Sequence, residues 1–211
     1  MASYSELAQS VVNGNESQVK EQVNALVAAG NDPMEIINEG LIAGMNIVGP
    51  RFKAGDMFVP EVLMSARSMA SGVEIVKPLI ADGEMKSRGK VIIGTVKGDL
   101  HDIGKNLVGM MVESSGLEVI NLGVDISAEA FVAAIKEHNP DVVALSALLT
   151  TTMVNMKDTI DVLTESGLRD KVKVIVGGAP VSKEFADSIG ADGFAPDAAS
   201  AAELCKELIA K

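Results

Sequence analysis

The chain has 211 residues, a formal net charge of −11, one cysteine, no tryptophan and an apolar fraction of 47%. That length holds one large domain or two modest ones, and the acidic balance speaks against nucleic acid as a partner, because a basic footprint is expected there. The lone Cys205 rules out an intramolecular disulfide and fits a reducing compartment. No apolar stretch approaches the ~20 residues of a membrane span. The first residues, Met1 to Glu6, lack the basic and apolar regions of a signal peptide, so a cytoplasmic protein with no membrane contact is expected.

The period of the apolar pattern changes near residue 88. Before it the chain reads as helices. Leu7, Val11 and Val12 suit a short first helix, and Val19, Val23, Leu26 and Val27 a second, ended by Gly30. Asn31-Asp32-Pro33 is a cap with proline at the first helical position, opening a third helix through Ile36, Ile37, Leu41, Met45 and Val48. A fourth runs from Pro60 through Val62, Leu63, Met69, Val73 and Val76 to about Pro78. Four helices on short loops predict a helical bundle, residues 1–88. The polar stretch from Asp82 to Gly89 is the expected linker.

From residue 89 to 211 strand and helix alternate. Strands are predicted at 90–96, 117–121, 141–146, 172–177 and 192–195, and helices at 103–115, 127–138, 152–166, 181–189 and 197–210. Such alternation argues a five-stranded parallel sheet with helices on both faces, in the flavodoxin-like (Rossmann-like) order. Ligands bind such sheets beyond the carboxyl ends of the strands.

Three motifs fall at those ends. Gly98-Asp99-Leu100-His101-Asp102-Ile103-Gly104 follows the first strand. An imidazole there is a good single-point ligand for a later first-row metal, and a carboxylate two residues earlier can fix its tautomer. Gly104 lets a bulky planar group approach the helix start. The alternative is a structural histidine capping a turn. Ser146, Leu148, Thr150 and Thr152 leave the third strand, where hydroxyls can bond a nucleotide tail or an imidazole, or where Thr151 or Thr152 can simply cap a helix. Gly177-Gly178 follows the fourth strand, and either permits close backbone approach to an anion or forms a plain tight turn.

On Asp99-x-His101-x-x-Gly104, Ser146-x-Leu148 and Gly177-Gly178, the chain resembles the corrinoid proteins of methylamine- and quaternary-amine-type methyltransferase systems, which are similar to the cobalamin-binding module of methionine synthase. The resemblance spans essentially the whole length. It implies a bound corrinoid whose cobalt takes His101 as lower axial ligand, with Asp99 as the hydrogen-bond partner and Thr152 completing the triad. Gly98, Leu100, Asp102, Ile103 and Gly104 would surround the ligand, Ser146, Leu148 and Thr150 would line the slot for the displaced base, and Gly177 and Gly178 would border the nucleotide tail. The helical half would cap the upper face through Phe58, Val62 and Leu63, and swing away on residues 81–89.

By that resemblance the protein is a non-catalytic methyl carrier. The cobalt cycles between Co(I) and methyl-Co(III), accepting a methyl group from a substrate-specific methyltransferase and passing it to a second methyltransferase acting on a thiol or a pterin, with a reductive activase as a further partner. The competing readings are the corrinoid subunit of a carbon-skeleton mutase, a carrier for a methanol or methoxyaromatic system, and a flavodoxin-like signalling domain without corrinoid.

Overall fold

A computed structural model of the chain describes residues 2–80 and 88–210. It divides into two compact units, one containing the N-terminal helices and the other the alternating strands and helices. The expected linker and hinge, residues 81–89, lie almost wholly outside the described residues.

The first unit is helical as its apolar spacing requires. Helix α1 (Tyr4–Val12) opens with a capping box in which Ser3 and Glu6 satisfy each other's backbone amides, and Asn15 caps α2 (Glu16–Ala28). Asp32 accepts from the amides of Met34 and Glu35, so the predicted Asp-Pro start is present at α3 (Pro33–Glu35). The third predicted helix is not uniform. Its segment Ile36–Ile42 is wound as a π-helix before α4 (Ala43–Lys53) resumes the ordinary pitch. The wider π turn advances each residue by a smaller angle, which keeps Ile42 on the buried side with Ile36, Ile37 and Leu41. Helix α5 (Val59–Val76) packs on α2, and α1 packs on the π segment and α4. Leu7, Val11, Val19, Val23, Leu41, Val48 and Val62 form the fully buried interior.

The second unit is a five-stranded sheet in the order β2-β1-β3-β4-β5, with every pair parallel. The strands are β1 (Lys90–Val96), β2 (Glu118–Ile126), β3 (Val142–Ser146), β4 (Lys173–Gly177) and β5 (Gly193–Ala195). The interleaved helices are α6 (Ile103–Glu113), α7 (Ala128–His138), α8 (Val154–Glu165), α9 (Lys183–Ser188) and α10 (Ala198–Ile209). Strands β1, β3 and β4 are buried on both faces, so they read as unbroken Val/Ile/Leu runs rather than alternating ones. Ile92, Val143, Leu145, Val174 and Val176 meet Phe131, Ile135, Met156, Ile160 and Leu163 of α7 and α8 in one core. Helices α6 and α10 pack on each other and contact β1, β3 and β5.

Strand β2 runs five residues beyond its predicted end at 121. Its pairing with β1 slips twice, from Ile93↔Asn121 to Gly94↔Gly123 and then to Val96↔Ile126. Each slip inserts an extra residue, which hides the strand from a period-two reading.

Cys205 lies fully buried in α10, and burial pushes its thiol up to about 12. A thiol reagent at neutral pH is therefore expected to leave the native protein unlabelled and to label its single cysteine in denaturant. Prompt labelling of the native protein would contradict this packing.

Candidate functional site

Parallel register brings the three motifs together. Thr95 of β1 pairs with Ser146 of β3, and Ser146 pairs with Gly177 of β4. The loops leaving these strands therefore start side by side at the carboxyl edge.

Asp99 sits at the centre of that edge with no exposed surface. One carboxylate oxygen accepts from His101 Nδ1 at 2.7 Å and from the His101 amide at 3.1 Å. The other accepts from Thr152 Oγ1 at 2.7 Å and from the amides of Leu148 and Leu149 at 2.8 and 3.3 Å. Burial alone would raise the carboxyl's pKa. The Thr152 hydroxyl, the Leu148 amide and the His101 donors outweigh it and hold Asp99 well below the usual carboxylate range. A buried carboxylate this fully hydrogen-bonded is a fixed negative charge.

That charge settles the tautomer of His101. With Nδ1–H donated to Asp99, the neutral ring keeps its lone pair on Nε2, and the side chain is 51% exposed. Thr95 Oγ1 donates to the His101 carbonyl at 2.9 Å, fixing the loop from below. Around the imidazole the edge is apolar and open: Leu100 is 71% and Ile103 82% exposed, and Leu148 and Leu149 are also exposed. Isolated exposed leucines need no explanation, but several flanking an exposed imidazole nitrogen with a free lone pair suit a large, partly apolar ligand. A Cβ on Gly104 would meet no atom of the protein within 4 Å, so the space beside the start of α6 is open. Among the described residues no three His, Cys, Asp or Glu side chains are grouped to hold a metal ion. As a single donor, His101 would suit a metal carried in a ring that supplies the other donors. A corrinoid fits these residues.

The other predicted positions divide. Asp102 is exposed and its carboxylate accepts from Asn106 Nδ2 at 3.0 Å, which ties it to the first turn of α6. Ser146 is half-buried at the end of β3, and Thr150 is exposed. Thr152 caps no helix: the N-cap of α8 is Met153, which has no capping side chain, and the Thr152 hydroxyl donates to Asp99. Gly178 has φ +133, and a Cβ there would lie 1.8 Å from the Ala147 carbonyl oxygen, so this glycine lets the β3 and β4 loops touch. In the helical unit Phe58 is exposed and Leu63 half-buried, whereas Val62 belongs to the interior; helical spacing places it with Ala66 and Met69. Val59 and Met64 of the same segment are exposed too, although neither was expected as a contact.

Sequence reasoning also missed the supports of the His101 loop. Gly98 donates to Asp125 Oδ1 at 2.6 Å, Asn155 Nδ2 donates to the Lys97 carbonyl at 2.7 Å, and buried Lys105 donates to Asn106 and Asn121 at 2.6 and 2.7 Å.

Profiles of the family described as B12 binding domain match residues 89–205 and, for a second domain of that description, residues 4–77. The chain belongs to the B12-binding corrinoid proteins. It is 48% identical to dimethylamine corrinoid protein 1 of Methanosarcina acetivorans over 85% of this chain and 84% of that one. A corrinoid protein of Desulfitobacterium hafniense strain Y51 is 45% identical over 100% of this chain and 99% of its own. Among solved structures, the methanol:cobalamin methyltransferase complex MtaBC of Methanosarcina barkeri matches with a TM-score of 0.86 at 34% identity, covering 97% of this chain and 78% of that one. The fold, the helical N-terminal region and the corrinoid cofactor are thus those of the family. No helix among the described residues is long and apolar enough to cross a membrane.

Two stability outcomes follow from this geometry. Thr152→Val leaves the Asp99 carboxylate buried with one donor fewer and is expected to cost about 1.5–3 kcal/mol in urea unfolding; an unchanged midpoint would contradict the hydrogen bond. Gly178→Ala forces a side chain onto a backbone carbonyl and should destabilise by about 2–4 kcal/mol, with an unchanged midpoint again the contrary result.

Proposed function

We propose that this chain is the corrinoid-carrying methyl-transfer protein of a methylamine-type methyltransferase system. The observation that carries this reading is His101, with Nδ1 on the buried Asp99 carboxylate and Nε2 presented at the open apolar edge. The family membership and the dimethylamine relative support it. When bound, the corrinoid supplies a cobalt able to take a methyl group and give it up again.

The chain's own residues then have these roles. His101 would hold the cobalt from below, and Asp99 would keep its tautomer and raise its basicity as a ligand. Thr152 and the Leu148 and Leu149 amides would keep Asp99 ionised and in place. Ser146, Leu148 and Thr150 would line a slot for the displaced base, with Gly177 and Gly178 at its border. Leu100, Ile103 and Leu149 would give the ring an apolar seat, while Asp102 serves the loop rather than the ligand. No side chain is required as a general acid or base for the methyl transfer itself.

The helical unit, residues 1–88, would cover the upper face through Phe58 and Leu63, with the exposed Val59 and Met64 adding apolar surface. Partners would be a substrate-specific methyltransferase, a second methyltransferase acting on a thiol or a pterin, and a reductive activase. A methanol system is the second reading, favoured by the match to the MtaBC complex. The match of residues 4–77 to a second B12-binding profile supports a carrier over a mutase subunit.

The test is the ultraviolet–visible spectrum of protein reconstituted with hydroxocobalamin, set against His101→Ala. The wild type should retain corrin bands, and these should shift in the variant. A wild type that takes up no corrinoid would overturn the reading.

A further inference from the structure

Two non-glycine residues among those described have a left-handed backbone: Asn139, at φ +47, and Asp125, at φ +55. Asn139 caps the end of α7, where that conformation is ordinary. Asp125 lies inside β2 and has no such reason. Strain of this kind persists only where surrounding contacts hold it, and it gathers at functional loops.

The contacts that hold Asp125 all lead to the turn before His101. Its amide donates to the Asp99 carbonyl at 3.0 Å, and its carboxylate accepts from the Gly98 amide at 2.6 Å. The two register slips of β2 deliver it there, since they add residues just before Val96 pairs with Ile126. From α8, Asn155 Nδ2 donates to the Lys97 carbonyl at 2.7 Å. Every residue of the Lys97–Asp99 turn is thus gripped through its backbone, by β2 or by α8. None of these contacts involves the imidazole or the Asp99 carboxylate.

We propose that Asp125 and Asn155 are positioning residues, a two-sided clamp that presets the Asp99–His101 arrangement before any corrinoid arrives. This rests on the reading of His101 as cobalt ligand. A ligand on a loose loop must be ordered as it binds, whereas a clamped loop meets the metal already in place. The left-handed backbone of Asp125 accompanies the contact of two groups of one residue with the turn, its carboxylate at the Gly98 amide and its own amide at the Asp99 carbonyl.

The experiment compares wild type with Asp125→Gly, Asn155→Ala, the double variant and Asp125→Asn. Glycine accepts a positive φ and alanine favours a helix, so the first two should remain folded, with urea midpoints as the check. Two readouts apply: amide hydrogen exchange of residues 97–101 in the corrinoid-free protein, and the superhyperfine splitting from isotopically labelled histidine nitrogen, distinct from that of the cofactor's own base, in the electron paramagnetic resonance spectrum of the cobalamin-loaded Co(II) state. Asp125→Gly and Asn155→Ala should each speed the exchange and lower the ratio of histidine-ligated to unligated cobalt by about fivefold, the equivalent of one hydrogen bond, and the double variant should lose more. Asp125→Asn keeps an acceptor and tolerates the backbone, so it should stay close to wild type. A wild type with the splitting, matched by every variant in both readouts, would overturn the clamp alone. A wild type that binds cobalamin without the splitting would overturn the reading of His101 and the clamp with it.

Discussion

The buried carboxylate of Asp99 is the interaction on which the rest of this site depends. An ionised carboxylate without water is tolerated only when donors surround it. Here those donors come from its own loop and from the loop after β3. The need to satisfy one charge therefore ties two strands' loops into a single structure. The same charge leaves His101 with one tautomer and one available nitrogen. The tautomer of the imidazole and the nitrogen it presents thus follow from a buried neighbour.

The sheet makes this arrangement achievable. In a parallel sheet every strand ends at the same edge, so Thr95, Ser146 and Gly177 stand in register although they are far apart in sequence. Helices on both faces bury β1, β3 and β4, and the stiff, branched interior gives loops at that edge a rigid base. The loops then differ in purpose. One carries Asp99 and His101, one carries further donors to Asp99, and one is thinned to glycine so that the backbones can meet.

Much of this was legible in the sequence because its signals are local. Strand β1 is a run of Val and Ile between Lys90 and the Lys97-Gly98 turn, and its predicted and observed bounds agree. The cap at Asp32-Pro33 and the buried stripes of α1 and α2 follow from side-chain chemistry a few residues apart. The Asp99–His101 pair is equally local, two residues apart and bonded as the spacing implied. Thr152 was tied to Asp99 only through the family resemblance, because its own surroundings left a contact to an imidazole or nucleotide and a helix cap equally open. What stayed hidden depends on distant contacts. Asp125 and Asn155 hold residues 27 and 58 positions away, and β2 continues past Gly123 and Asp125, residues that disfavour strands, because β1 pairs with it there. Val62 has the composition of a surface contact or a core residue, and only its burial decides.

The central claim is that His101 Nε2 is the protein's bond to cobalt. The most direct measurement is a crystal structure of the hydroxocobalamin-loaded protein with anomalous scattering recorded at the cobalt edge. One cobalt peak is expected within bonding distance of His101 Nε2, with Asp99 still on Nδ1. A cobalt bound elsewhere, or still carrying its own base with His101 unengaged, would contradict it.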